Sequence, residues 1–189
     1  MKKKIQYAVL SPAGMLILGL FTGFTVKEID IHFYAQHWGI SLSNVFSEAG
    51  IWIVIGVAIS LYSRNKRYAM LNVFFYCVGM LITYYLTAEL TDSVYSWAYI
   101  RLWIVFACFS PVMAYLVALT RRRGVLSLVL KVGIFAGYIG LNLLLGAFLK
   151  GYDILFFLLL IYLLFIRDRK NAAAPDRYCK ERITKKGEK

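Results

Sequence analysis

Val45–Tyr68 reads VFSEAGIWIVIGVAISLYSRNKRY. Its uninterrupted apolar core, Ile51–Tyr62, is too short to cross a bilayer, which takes about 20 mostly apolar residues. To span, the segment must begin near Val45 and carry Glu48 in with it. It then stops at Arg64, Lys66 and Arg67. An acid at one end of an apolar run and bases at the other is the pattern that repeats along the chain.

Before residue 167 the acids are Glu28, Asp30, Glu48, Glu89, Asp92 and Asp153. All fall in alternate gaps between apolar runs, or one turn inside them. The other gaps hold only bases: Lys2–Lys4, then Arg64, Lys66 and Arg67, then Arg121–Arg123. Lys and Arg are retained on the cytoplasmic side of short loops. The sorting therefore predicts an all-α polytopic membrane protein, a six-transmembrane-helix bundle with both termini inside. The expected spans are about 6–24, 45–62, 69–88, 98–119, 125–149 and 152–166. Residues 1–166 form the expected transmembrane domain. Residues 167–189, RDRKNAAAPDRYCKERITKKGEK, form an expected solvated, disordered cytoplasmic tail. The N-terminal run resembles a signal peptide, but its apolar stretch exceeds the usual 7–15 residues and no A-x-A site follows. It reads as an uncleaved first helix in a multi-pass protein of the cell membrane.

Composition agrees. The chain of 189 residues is 60% hydrophobic and 17% charged, against about 45–50% apolar and 25% charged for soluble domains. Of 22 bases, nine lie in the tail and nine in the three short clusters, so the net charge of +12 fits anionic lipid headgroups rather than nucleic acid. The lipid bilayer is the first expected partner. Cys77, Cys108 and Cys179 form no CxxC or Cys/His cluster. Cys77 and Cys108 read as small buried hydrophobes. No metal and no cofactor is expected. HExxH, GxSxG and P-loop signatures are missing, and the reading is a non-enzyme.

Several features bear on a site. Ionisable groups within spans are functional hypotheses by default. Glu48, Glu89 and Arg101 all fall near the external end, and Arg101 is expected to pair with Glu48 or Glu89. Lys131 is expected to snorkel toward cytoplasmic headgroups. Trp38, Trp52, Trp97 and Trp103 also fall on the external side, as an aromatic belt or as a stacking surface for a ligand. The 25–44 connection, TVKEIDIHFYAQHWGISLSN, is long for a loop. It reads as an interfacial helix or a lid, with His32 and His37 at best a weak metal signal. Gly133, Gly137 and Gly140 mark the fifth helix as the candidate for a tightly packed centre; Gly19/Gly23 has the same spacing. Pro12 and Pro111 are expected to bend helices one and four.

Two functions follow as expectations. The first is a small-molecule binding or transport subunit whose external site uses Glu48, Glu89, Arg101, Trp38, Trp52, Trp97 and Trp103. In span count and loop layout the chain is similar to the substrate-binding subunits of energy-coupling-factor vitamin transporters. It lacks their alanine-rich ATPase-docking pattern in helix one, with Ala8, Ala13 and Gly14 in its place, so no residue role carries over. The alternative is a non-transporting accessory, immunity or regulatory protein packed against a membrane-protein partner.

Overall fold

A computed structural model describes residues 9–32, 42–93, 96–121, 124–144 and 151–167. Everything described is helical or a connection between helices. The elements are α1 (Pro12–His32), α2 (Leu42–Ser47), α3 (Ala49–Tyr62), α4 (Lys66–Leu90), α5 (Trp97–Leu119), α6 (Val125–Leu144) and α7 (Gly151–Ile161), which continues as a π-helical segment, Tyr162–Arg167. Helices are the expected answer in lipid, because every backbone group must be bonded within its own segment. Three are long and apolar enough to cross a membrane: Lys66–Leu90, Ile100–Leu119 and Val125–Leu143. Ala49–Tyr62 and Gly151–Ile166 are apolar but shorter. The expected tail beyond Arg167, Lys2–Lys4, and Arg122 and Arg123 lie outside the described residues.

The outside of the bundle is greasy. Ile17, Phe21, Leu86, Phe109, Val129 and Leu158 are all more than half exposed. The inside holds Ser60, Asn72, Thr120 and Asp153, each fully buried. A soluble protein does not expose apolar surface on this scale. Lipid as solvent inverts the usual requirement, and the chain is a helical membrane protein.

The short helix α3 sits at the centre. At about 1.5 Å per residue its 14 residues rise only ~21 Å. It packs against α4, α5, α6, α7 and the π segment, and divides two cores. Its Trp52 and Ile59 join Met15, Val26, Val73, Tyr76, Met80 and Ala107. Its Val54 and Val57 join Val117, Tyr138, Phe156, Leu160 and Leu164 on the other side. The sequence pattern favours the fifth hydrophobic run, here α6, for this position, and that expectation is wrong. Gly133, Gly137 and Gly140 are exposed, and a Cβ on any of them would meet nothing within 4 Å among the described residues.

The close backbone approach lies between α1 and α4 instead. A Cβ on Gly19 would run into the Tyr76 carbonyl, and one on Gly23 into the Met80 carbonyl and the Thr83 hydroxyl. A Cβ on Gly79 would stand 2.5 Å from the Leu16 carbonyl oxygen. Only glycine allows this spacing. Thr83 Oγ1 donates across the seam to Leu20 O at 2.7 Å. Contacts advance in step along both helices, from Leu10/Asn72 to Asp30/Tyr84, so α1 and α4 run parallel.

Pro12 opens α1, and the helical path of the expected first span breaks just before it, at Leu10 and Ser11, after helical Val9. Ser11 caps the helix, with Gly14 N donating to Ser11 Oγ at 3.1 Å and Met15 N to Ser11 O at 2.9 Å. Gly14 N is therefore lost to Leu10 O, its partner in an unbroken helix. Asn72 Nδ2 supplies the replacement at 2.8 Å and also reaches Ser63 Oγ at 2.9 Å. Pro111 does lie inside α5.

The bases of the connections are not all alike. Arg121 turns inward and donates to the carbonyls of Ser60 and Ser63, the latter at 2.7 Å. A guanidinium on the last carbonyls of α3 offsets the negative end of that helix. Ser127 Oγ donates to Thr120 O at 2.5 Å, closing the α5–α6 turn around Gly124, whose φ is 135°.

Candidate ligand site at the acidic end

Asp30, Glu48, Glu89 and Asp153 gather at one end of the bundle, Arg64, Lys66, Arg67 and Arg121 at the other. Helix α1 runs on to His32, so the expected 25–44 connection is helical over its first part, and α2 takes up Leu42–Ser47. Trp38, His37 and the segment 33–41 lie outside the described residues.

That extension carries Lys27 and Asp30 into the bundle. Lys27 is 3% exposed, with Nζ 3.8 Å from Asp30 Oδ2 and 5.0 Å from the Tyr84 ring centre. Tyr84 OH donates to Asp30 Oδ2 at 2.7 Å, and Ser43 of α2 donates to Asp30 Oδ1. The network ties α1, α2 and α4 together. Sequence reasoning places Asp30 in a loop and passes over Lys27. The signal is their i, i+3 spacing at the end of an apolar helix, which puts both on one face.

Glu48 sits between α2 and α3 in an extended conformation, φ −87° and ψ 148°. The helical path is broken at the acid, which thereby leaves the helix interior. Tyr152 OH donates to Glu48 Oε1 at 2.6 Å. Beside it Asp153 is fully buried, and Tyr138 OH reaches its Oδ1 at 3.4 Å. Gly50 makes room for this: a Cβ there would lie 3.1 Å from Tyr138 OH. Two carboxylates from different ends of the chain are thus held inside by tyrosine hydroxyls. Asn142 bonds within its own helix, to Tyr138 O at 3.1 Å.

The other expected site residues separate. Trp52 is buried in the first core, with Nε1 donating to Phe46 O at 2.8 Å and its ring 6.3 Å from that of Phe46. Trp103 is half-buried against the same core and meets Phe106 edge-on. Trp97 is 67% exposed. The three described tryptophans, Trp52, Trp97 and Trp103, therefore share neither a single exposure nor a single surface. Glu89 and Arg101 are exposed. Among the described residues Arg101 forms no ion pair with Glu48 or Glu89, against expectation. The reason is helical phase. Arg101 shares the outward stripe of Val105, Cys108 and Val112, while Trp103, Ala107, Ser110 and Ala114 face in. Cys108 is exposed and Cys77 buried, and both are free thiols. Lys131 lies over the Phe165 ring at 5.3 Å. His32 pairs with Glu28 at 3.3 Å.

An apolar groove of about 350 Å³ opens at the basic end, lined by Val9, Leu10, Ala58, Ile59 and Tyr62. Comparison with protein-family models, with curated proteins and with solved structures finds no match to this chain.

Proposed function

We propose that the chain is a multi-pass protein of the cell membrane with six spans and both ends cytoplasmic, acting as a small-molecule binding or transport subunit whose site opens at the external, acidic end. One observation carries the reading. Asp30, Glu48 and Asp153 are drawn into the bundle at this end and organised by Ser43, Tyr84, Tyr138 and Tyr152. Ionisable groups at membrane depth are expensive and are retained where they serve a site or pathway. Trp52 and Phe46, in contact across the α2–α3 break at Glu48, and Trp103 against the same core add apolar area, the composition usual for small-molecule sites. Glu89, Arg101 and Trp97 belong to the rim in this reading, where a solute first meets the protein. No catalytic role is assigned.

A thermal-shift screen of the purified protein against small solutes tests this. A compound that raises Tm for the wild type and loses its effect in Glu48→Gln supports the reading. Hits whose effect is untouched by Glu48→Gln, Asp153→Asn and Trp52→Phe contradict it.

The second reading, an accessory, immunity or regulatory protein, is favoured by α6. Its glycine face is covered by nothing among the described residues, and small residues in lipid permit close helix packing. Stoichiometric co-purification of a membrane protein, abolished by Gly137→Leu, would favour this alternative.

A further inference from the structure

The apolar groove lies at the end of the bundle that carries Arg64 and Arg67. Tyr62 forms one wall, and Arg64 follows two residues later, just past the end of α3. Arg64 and Arg67 are exposed, and among the described residues neither makes a hydrogen bond or ion pair. Their basic neighbours are engaged elsewhere: Arg121 on the α3 carbonyls, and Lys66 over the Tyr115 ring at 5.4 Å. The Arg121 contact matters, because a bare helix C-terminus repels anions. Arg121 on the Ser60 and Ser63 carbonyls offsets the negative end of α3 beside Arg64. Asn65 opens α4 beside it with no side-chain cap on the helix N-terminus.

We propose that this end binds one anionic phospholipid, with part of an acyl chain in the groove between Leu10 and Tyr62 and the phosphate at Arg64 and Arg67. The floor of Val9, Leu10, Ala58, Ile59 and Tyr62 is apolar, and its 350 Å³ accommodates a stretch of one hydrocarbon chain. Charge selects the headgroup, because two exposed guanidiniums, Arg64 and Arg67, follow the groove wall Tyr62 within five residues of chain at the same end of the bundle, and arginine forks match phosphate oxygens. The site stands apart from the acidic end and requires only that the basic end reach a headgroup layer.

Native mass spectrometry of the full-length protein in detergent tests it, with equimolar phosphatidylglycerol and phosphatidylcholine of identical chains as probes. The wild type should retain phosphatidylglycerol preferentially. Each of Arg64→Gln and Arg67→Gln should reduce that preference about fivefold. Ala58→Phe, which fills the groove, should weaken retention of both lipids. If Ala58→Phe fails to fold, the two arginine variants still decide. Equal retention of the two lipids overturns the proposal, as does a preference that survives Arg64→Gln with Arg67→Gln. Binding of inorganic phosphate that matches the lipid would make this a free-anion site and overturn it. Disulfide-linked dimers of Ala58→Cys, with Cys77, Cys108 and Cys179 replaced by Ser, would put a second copy in the groove and also overturn it.

Discussion

Replacing Gly79 by alanine adds one methyl group at the seam between α1 and α4. That methyl carbon would lie 2.5 Å from the Leu16 carbonyl oxygen and 3.0 Å from Leu20 N, both backbone atoms that cannot rotate away. To reach the 3.4 Å of an ordinary contact the helices must part by about 0.9 Å. A gap of that size forfeits roughly a quarter to a half of the dispersion energy of each contact along the seam. It also stretches the Thr83–Leu20 bond, now 2.7 Å. Overpacking of this kind costs about 1–3 kcal/mol. Gly133→Ala is the matched control. It is also a helical glycine, but its methyl would meet nothing within 4 Å, and alanine propensity favours it by up to about 1 kcal/mol. Reversible unfolding in mixed micelles, followed by far-UV circular dichroism, compares the two directly. Gly79→Ala should fall below wild type and Gly133→Ala should equal or exceed it. Equal effects of the two substitutions would refute the parallel α1–α4 seam and restore α6 as the packed centre.

Lys27→Met strands Asp30 beside Tyr84. The loss should be about 2–3 kcal/mol, toward the low end for a buried pair because Asp30 retains some exposure. Adding Asp30→Asn should recover part of it, and strict additivity in the double variant would argue against the pair. Arg121→Met should destabilise by about 1.5–3 kcal/mol, the range for charged hydrogen bonds. Arg67→Met, from an exposed position at the same end, should leave unfolding unchanged within error. Identical losses for the two arginines would mean that Arg121 is no cap.

The class of fold was legible because lipid imposes two crude rules, apolar length and charge sorting, and both survive in the sequence. Helix faces were not legible. Segments such as α5 are apolar all round, so periodicity does not say which stripe faces in. The inner stripe of α5 is marked only by its small and polar members, Ala107, Ser110 and Ala114. Without that phase, Arg101 and Glu48 look like partners because they share a depth. Glycine spacing was ambiguous for the same reason: Gly19/Gly23 and Gly133/Gly137 are alike in sequence, and only the first faces another helix. The buried polar ties were hidden by distance along the chain. Tyr152 meets Glu48, and Asn72 meets Leu10, across gaps no local pattern records. Ser11–Pro12 breaks the first apolar run as its proline suggests, and a capping serine before proline at a first helical position marks where the helix restarts.

The central claim is that the acidic and basic ends face opposite sides of a membrane crossed six times. Single cysteines at Ser93, Gly151, Asn65 and Gly124, introduced after Cys77, Cys108 and Cys179 are replaced by Ser, test it in intact cells with a membrane-impermeant maleimide. Ser93→Cys and Gly151→Cys should label from outside. Asn65→Cys and Gly124→Cys should label only after permeabilisation. Labelling of Gly151→Cys and Asn65→Cys from the same side, or the reverse of the whole pattern, would contradict the account.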